Sequence, residues 1–85
     1  MKTQEVNESL IGKKVSGICT AMQVTGTIIG IVRRSSLTSN EICSVGVKIK
    51  LDEPVRWGDS LYTEYESTAR VSDDWGNLSH TKVIE

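Results

Sequence analysis

The sequence is poor in the residues that metal sites and active sites usually need. Its only histidine is His80, and its two cysteines, Cys19 and Cys43, are not at the C-x-x-C spacing of a structural zinc site. A nucleophile–base pair between a cysteine and His80 has no motif to support it, and no glycine-rich phosphate-binding pattern is present. Glu64 and Glu66, two residues apart, are expected on one solvated strand face. We therefore expect no enzymatic activity, no metal and no cofactor.

Long apolar runs are also missing. Residues 1–6 lack the apolar core of a signal peptide, and no apolar run approaches the roughly 18 residues of a membrane span. Cys19 and Cys43 lie in or beside apolar segments, where a free cysteine behaves as a small buried hydrophobe. A Cys19–Cys43 disulfide remains an alternative. Together these features predict a cytoplasmic protein with reduced thiols.

Aromatic residues and proline are scarce. There is no phenylalanine and one proline, and all four aromatics lie in the second half of the chain: Trp57, Tyr62, Tyr65 and Trp75. The core is therefore expected to be aliphatic. A chain of 85 residues predicts one domain, residues 1–85.

Short apolar segments separated by turn residues are what the sequence does contain. Val45, Val47, Ile49 and Leu51 alternate with polar or small residues, which is typical of a half-buried strand. Glycines Gly26 and Gly30 inside a second apolar segment indicate a bend, a bulge or a close backbone approach. The predicted strands are 13–19, 26–32, 44–51, 61–66, 68–71 and 78–84.

The connections between these strands carry recognisable turn residues. Gly58-Asp59 and the stretch 73–77 predict turns, and 33–41 is a polar loop. Pro54 is expected to mark a strand end or an edge, and 20–25 is either a loop or a bulged continuation of the first strand. Residues 3–11 predict a short helix that packs Val6 and Leu10 on the core, with a frayed segment over 1–11 as the alternative.

Five or six short strands in so short a chain favour a mainly β fold. We expect a small, partly open barrel of antiparallel strands with a short N-terminal helix, since closure removes exposed strand edges.

Two glycine-led segments resemble a known family. Gly12-Lys13-Lys14-Val15 followed by Gly26-Thr27-Ile28-Ile29-Gly30-Ile31-Val32 is similar to the opening of KOW-type barrels, which are SH3-like. The resemblance covers residues 12–34. It implies an SH3-like barrel, with nucleic acid or protein tails as the kinds of ligand.

Charge is divided unevenly along the chain. Residues 13–51 hold six basic residues and one glutamate, a net charge of +5, whereas 52–85 hold eight acidic and three basic residues, a net charge of −5. Such asymmetry indicates a binding face. The alternative is that strands from the two halves interleave and mix the charges.

These features predict a non-catalytic binding module, with a protein partner or self-association as the first hypothesis. Trp, Tyr and Arg are enriched at interface hot spots, so the candidate surface consists of Trp57, Tyr62, Tyr65 and Trp75. Tyr62 and Tyr65 are expected on opposite strand faces, and each tryptophan either caps the core or anchors a partner. Nearby acids favour a basic or polar protein ligand.

Two alternatives remain open at this point. Nucleic-acid binding needs clustered lysine and arginine, and its candidate residues are Lys13, Lys14, Arg33, Arg34, Lys48 and Lys50. The basic half has no aromatic residue for base stacking, which weakens this alternative. The second alternative is a structural subunit of a larger assembly. No membrane contact and no small-molecule substrate are expected.

Overall fold

The computed structural model describes residues 1–38, 41–72 and 77–84. The strands are β1 (Lys14–Cys19), β2 (Met22–Ser35), β3 (Ile42–Trp57), β4 (Ser60–Arg70) and β5 (Lys82–Val83). They form one open sheet in the order β4-β3-β2-β1-β5, and every neighbouring pair is antiparallel. The predicted mainly β fold of five or six antiparallel strands is confirmed, with five strands among the described residues.

The N-terminal segment contains two 3₁₀ turns, Thr3–Glu5 and Glu8–Leu10, in place of one continuous helix. Val6, whose backbone is extended, ends the first turn, and Asn7 caps the second because its side chain accepts a hydrogen bond from Ser9 N at 2.9 Å. Val6 and Leu10 pack against the core as predicted.

The β1–β2 hairpin turns at Thr20 and Ala21, whose φ angles are 49° and 64°. Cys19 pairs with Met22, so two left-handed residues close the turn in the manner of a type I′ hairpin. Residues 22–25 therefore belong to β2, so both predicted alternatives, a loop or a bulged continuation of the first strand, are wrong for them.

The long strands β2 and β3 give the sheet its curvature. Between Ile28 and Gly30 the pairing shifts by one residue, which leaves Ile29 as an exposed bulge residue. At Gly26 an added Cβ would overlap the backbone carbonyl of Lys50. The two strands approach closely at this glycine, as its position inside an apolar strand predicted.

Strand β3 confirms the predicted alternation. Lys48 and Lys50 are exposed, and the residues of the other face are buried: Val45, Val47, Ile49 and Leu51. The expected end of the strand near Pro54 is wrong, because β3 continues to Trp57. Pro54 lies where the pairing with β4 shifts, between Lys50 and Val55. The missing N–H of proline is tolerated at such an irregular position.

The C-terminal part differs most from expectation. The predicted strands 61–66 and 68–71 form one strand, β4, and the predicted strand 78–84 consists of a 3₁₀ turn at Asn77–His80 followed by the short β5. Leu78 is fully buried in that turn, and the hydroxyls of Thr81 and Ser67 form a buried hydrogen bond. These contacts hold the segment against β4. The turn predicted at 73–77 falls largely outside the described residues.

The core is aliphatic, as predicted, and it has two parts. The larger part consists of Val15, Ile28, Val47, Ile49, Ala69 and Leu78, and the smaller part of Cys19, Leu51 and Val55. Both cysteines are free thiols. Cys19 is buried as expected. Cys43 is exposed: its position in β3 continues the inward-facing alternation, but it lies beyond the end of the core. No helical segment in the described part of the chain has the length and apolar character of a bilayer-crossing helix.

Candidate functional site

The β3–β4 hairpin carries the most exposed aromatic residues among those described. Trp57 pairs with Ser60 across the two-residue turn Gly58-Asp59, and Gly58 supplies the positive φ of 60° that this turn needs. The predicted turn at Gly58-Asp59 is therefore confirmed, and it places Trp57 at the tip of the hairpin.

Trp57 and Tyr62 share one face of this hairpin. Trp57 is 56% exposed and Tyr62 is 37% exposed. Tyr62 lies opposite Val55 and Trp57 lies opposite Ser60, so the two aromatics are diagonal neighbours on the paired strands. An indole more than half exposed is not a core cap. We name Trp57 and Tyr62 the hairpin pair.

Leu61 adds apolar surface that the sequence analysis did not include. It is 56% exposed and lies opposite Arg56, on the other face of the same hairpin. Its position two residues after the turn Gly58-Asp59 was the available signal, since a residue at a hairpin tip lies beyond the core. The tip thus exposes apolar side chains on both faces.

Tyr65 lies apart from the hairpin pair. It is half-buried and packs against both parts of the core. Its hydroxyl is buried and has no hydrogen-bond partner among the described residues. Burial raises the pKa of Tyr65 to about 12, and the nearby Cys19 thiol adds to the shift. Trp75, the fourth candidate, lies outside the described residues.

The basic candidates are mostly paired with acids. Lys14 contacts Asp52 at 2.5 Å, and Arg33 contacts Glu8 at 2.8 Å. The remaining two pairs join β4 to β2 and to β3: Arg34 with Glu66 at 2.6 Å and Lys48 with Glu64 at 3.2 Å. Three of these four pairs link the basic half of the sequence to the acidic half. The strands therefore interleave and mix the charges.

The carboxylates respond to these contacts. Asp52 accepts hydrogen bonds from Lys14 and from Thr25, the second at 2.9 Å. Both lower the pKa of Asp52 below its ordinary value, and the bond from Lys14 has the larger effect. The hydrogen bond from Arg33 likewise lowers the pKa of Glu8. Lys13 and Lys50 are exposed and make no ion pair within the described residues. The basic surface left for a polyanion is correspondingly small.

The residues considered for chemistry are scattered. Cys19 is buried, whereas Cys43 and His80 are exposed at different places in the fold. Within the part of the chain that the structure describes, no group of three or more His, Cys, Asp or Glu side chains is arranged to hold a metal ion.

Comparison with known protein families gives a match over nearly the whole chain. Residues 1–83 match a family described as a domain of unknown function (DUF7258). No curated protein and no solved structure matches the chain.

Proposed function

The chain belongs to this family, DUF7258, and we propose that it is a non-catalytic binding module whose hairpin pair engages a protein partner. The observation that carries the proposal is the exposure of Trp57 beside Tyr62 on one face of the β3–β4 hairpin. Tryptophan and tyrosine are enriched at interface hot spots because they bury a large area with few rotatable bonds. Burying this indole against a partner removes apolar surface from water.

The charge around the hairpin favours a basic or polar segment as the partner. Asp59 lies in the turn itself, and Glu53 is exposed in the irregular part of β3. Neither forms an ion pair within the described residues. A lysine or arginine beside the apolar contact would complement them and favour association.

Nucleic acid is the weaker candidate. Four of its six candidate residues are already paired with carboxylates, so phosphate contacts would have to displace Asp52, Glu8, Glu66 and Glu64. The unpaired Lys13 and Lys50 are too few for a backbone-tracking groove.

The proposal includes two finer descriptions. We describe the curled sheet as SH3-like, since β2 and β3 each run continuously through a register shift and so contribute to both parts of the core. We assign the protein to the cytoplasm, which the two free thiols support.

Affinity capture with matched variants tests the proposed partner surface. Trp57→Ala is compared with Leu37→Ala, which removes a fully exposed leucine from the β2–β3 connection at the other end of β3. Truncation of a hot spot costs about 2 kcal/mol or more, roughly a thirtyfold loss of affinity. We expect the same captured protein with the wild type and Leu37→Ala, and its loss with Trp57→Ala.

Three results would contradict the proposal. Unfolding of Trp57→Ala by circular dichroism would make Trp57 a structural residue. In a nuclear magnetic resonance titration with short single-stranded and double-stranded DNA, salt-sensitive shifts at Lys13 and Lys50 would favour nucleic acid. Capture of one protein set by all variants would instead favour a structural subunit that uses another surface.

A further inference from the structure

Strand β4 is a long edge of the sheet. It spans Ser60–Arg70, pairs with β3 on one side, and has no strand on its other side within residues 1–38, 41–72 and 77–84. An edge of this length presents a row of backbone groups to any strand that can pair with it.

The backbone groups that face this edge follow from the antiparallel pattern. Val71 N donates to Cys43 O at 3.0 Å, which fixes which residues of β4 turn their backbone toward β3. Counting back by two gives Ala69, Ser67 and Tyr65 as the residues bonded to β3. The intervening residues direct their N–H and C=O groups to the open edge: Glu64, Glu66, Thr68 and Arg70.

The charges on these four side chains are complementary to those of a second β4 strand that runs antiparallel. In an antiparallel pair of two β4 strands centred on Thr68, Glu66 of each copy lies opposite Arg70 of the other, and Thr68 lies opposite Thr68. Glu64, Glu66 and Arg70 are exposed. Opposite charges and paired threonines stabilise cross-strand neighbours.

Three other registers are disfavoured by the same residues, and a fourth, centred on Ser67, pairs Glu64 with Arg70 but leaves Glu66 opposite Thr68. Centring the pair on Glu64 or Glu66 places that glutamate against itself, and centring it on Tyr65 places Glu64 against Glu66 twice. Like charges directly opposite each other destabilise a strand pair. The contact of β4 with the C-terminal segment through Ser67 and Thr81 lies on the core face, away from these side chains.

We propose that two copies of this chain associate through β4, antiparallel and centred on Thr68, to form a continuous sheet with two Glu66–Arg70 ion pairs between the copies. The contact is isologous, as in most two-fold dimers. It is independent of the proposed hairpin pair, since Trp57 precedes β4 and takes no part in this register.

Complementary charge variants test the register directly. Glu66→Arg places two arginine pairs across the interface of its own dimer, and Arg70→Glu places two glutamate pairs there. Sedimentation velocity from micromolar to millimolar concentration should show dimers for the wild type and at least about tenfold weaker association for each variant alone. An equimolar mixture of the two variants restores both opposite-charge pairs, and we expect it to dimerise like the wild type.

Matched controls separate the register from net charge. Glu53→Arg and Arg56→Glu make the same charge changes at exposed positions on β3, so both should dimerise like the wild type. Because Glu66→Arg also breaks the ion pair with Arg34, folding is checked by circular dichroism, and Arg70→Glu alone suffices if that variant does not fold. A wild type that stays monomeric, or a dimer that the controls weaken as much as Arg70→Glu does, would overturn the proposal. Loss of partner capture by Trp57→Ala without loss of the dimer would separate this surface from the hairpin pair.

Discussion

Gly17 and Tyr65 are predicted to be strongly coupled in stability. A Cβ added at Gly17 would overlap the Tyr65 hydroxyl, while the nearest ring carbon, Cζ, would lie 3.6 Å away and Thr81 Oγ1 3.4 Å away. The clash therefore depends on one oxygen atom. Gly17→Ala should destabilise the wild type by about 1–3 kcal/mol, as overpacking in a core does.

Tyr65→Phe should reverse this effect. Without the hydroxyl, the alanine methyl meets only ordinary van der Waals neighbours, and replacing glycine in a strand adds about 0.5–1 kcal/mol of stability. The effect of Gly17→Ala on the free energy of unfolding should therefore differ by about 1.5–4 kcal/mol between the two backgrounds. Tyr65→Phe alone should be neutral or stabilise by up to about 1 kcal/mol, since the buried hydroxyl has no partner among the described residues.

Urea unfolding of the four proteins at neutral pH measures this coupling. Gly30→Ala in the same two backgrounds is the control, because its nearest neighbour, Lys48 Cβ, lies at 3.8 Å. If Gly17→Ala lowers the free energy of unfolding equally in the wild type and in Tyr65→Phe, the reasoning is refuted. A loss of more than about 1 kcal/mol in Tyr65→Phe would show that the hydroxyl has a bonding partner after all.

Two further predictions concern alkaline pH and a second crowded glycine. The pKa of Tyr65 is raised to about 12 in the fold, so this tyrosine ionises first in the unfolded chain. Its ionisation should leave the free energy of unfolding unchanged below pH 10 and lower it as the pH rises from 10 toward 12. The two-unit shift corresponds to about 2.7 kcal/mol, which solvent around the half-exposed ring reduces to about 1 kcal/mol. Urea unfolding across this range should show the loss in the wild type and not in Tyr65→Phe. Gly46→Ala should destabilise by about 3 kcal/mol or more, because its Cβ would overlap the Ser67 carbonyl and lie 2.6 Å from Thr68 Cα, both rigid backbone. Thermal unfolding of Gly46→Ala beside Gly30→Ala checks this, and equal midpoints would contradict it.

The sequence predicts the strands whose side chains alternate regularly. In β3, Val45 to Leu51 follow period two, so their inward face was evident without any tertiary information. The turn at Gly58-Asp59 was equally clear, because glycine supplies the positive φ directly. Thr20 and Ala21 also have positive φ with no glycine, in a turn that the pairing of β1 with β2 closes.

The candidate site was less accessible to sequence reasoning. The exposure of Trp57 depends on β3 continuing past Pro54, and the register shift that allows this has no local signature. The charge asymmetry was misleading for a related reason, since ion pairs such as Arg34–Glu66 join residues far apart in the chain. Residues 78–84 have the composition of a strand, but the burial of Leu78 in a 3₁₀ turn is a tertiary contact.

The position of β1 in the sheet affects how the protein folds during synthesis. Its neighbours are β2, which follows at once, and β5, where Val83 pairs with Val15. The β1–β2 hairpin can therefore form early, while the other edge of β1 stays open until residues 82–83 have left the ribosome. At about 5–20 residues per second, this interval lasts seconds. Late closure between distant segments slows folding, so the nascent chain exposes an apolar strand edge that chaperones are suited to protect.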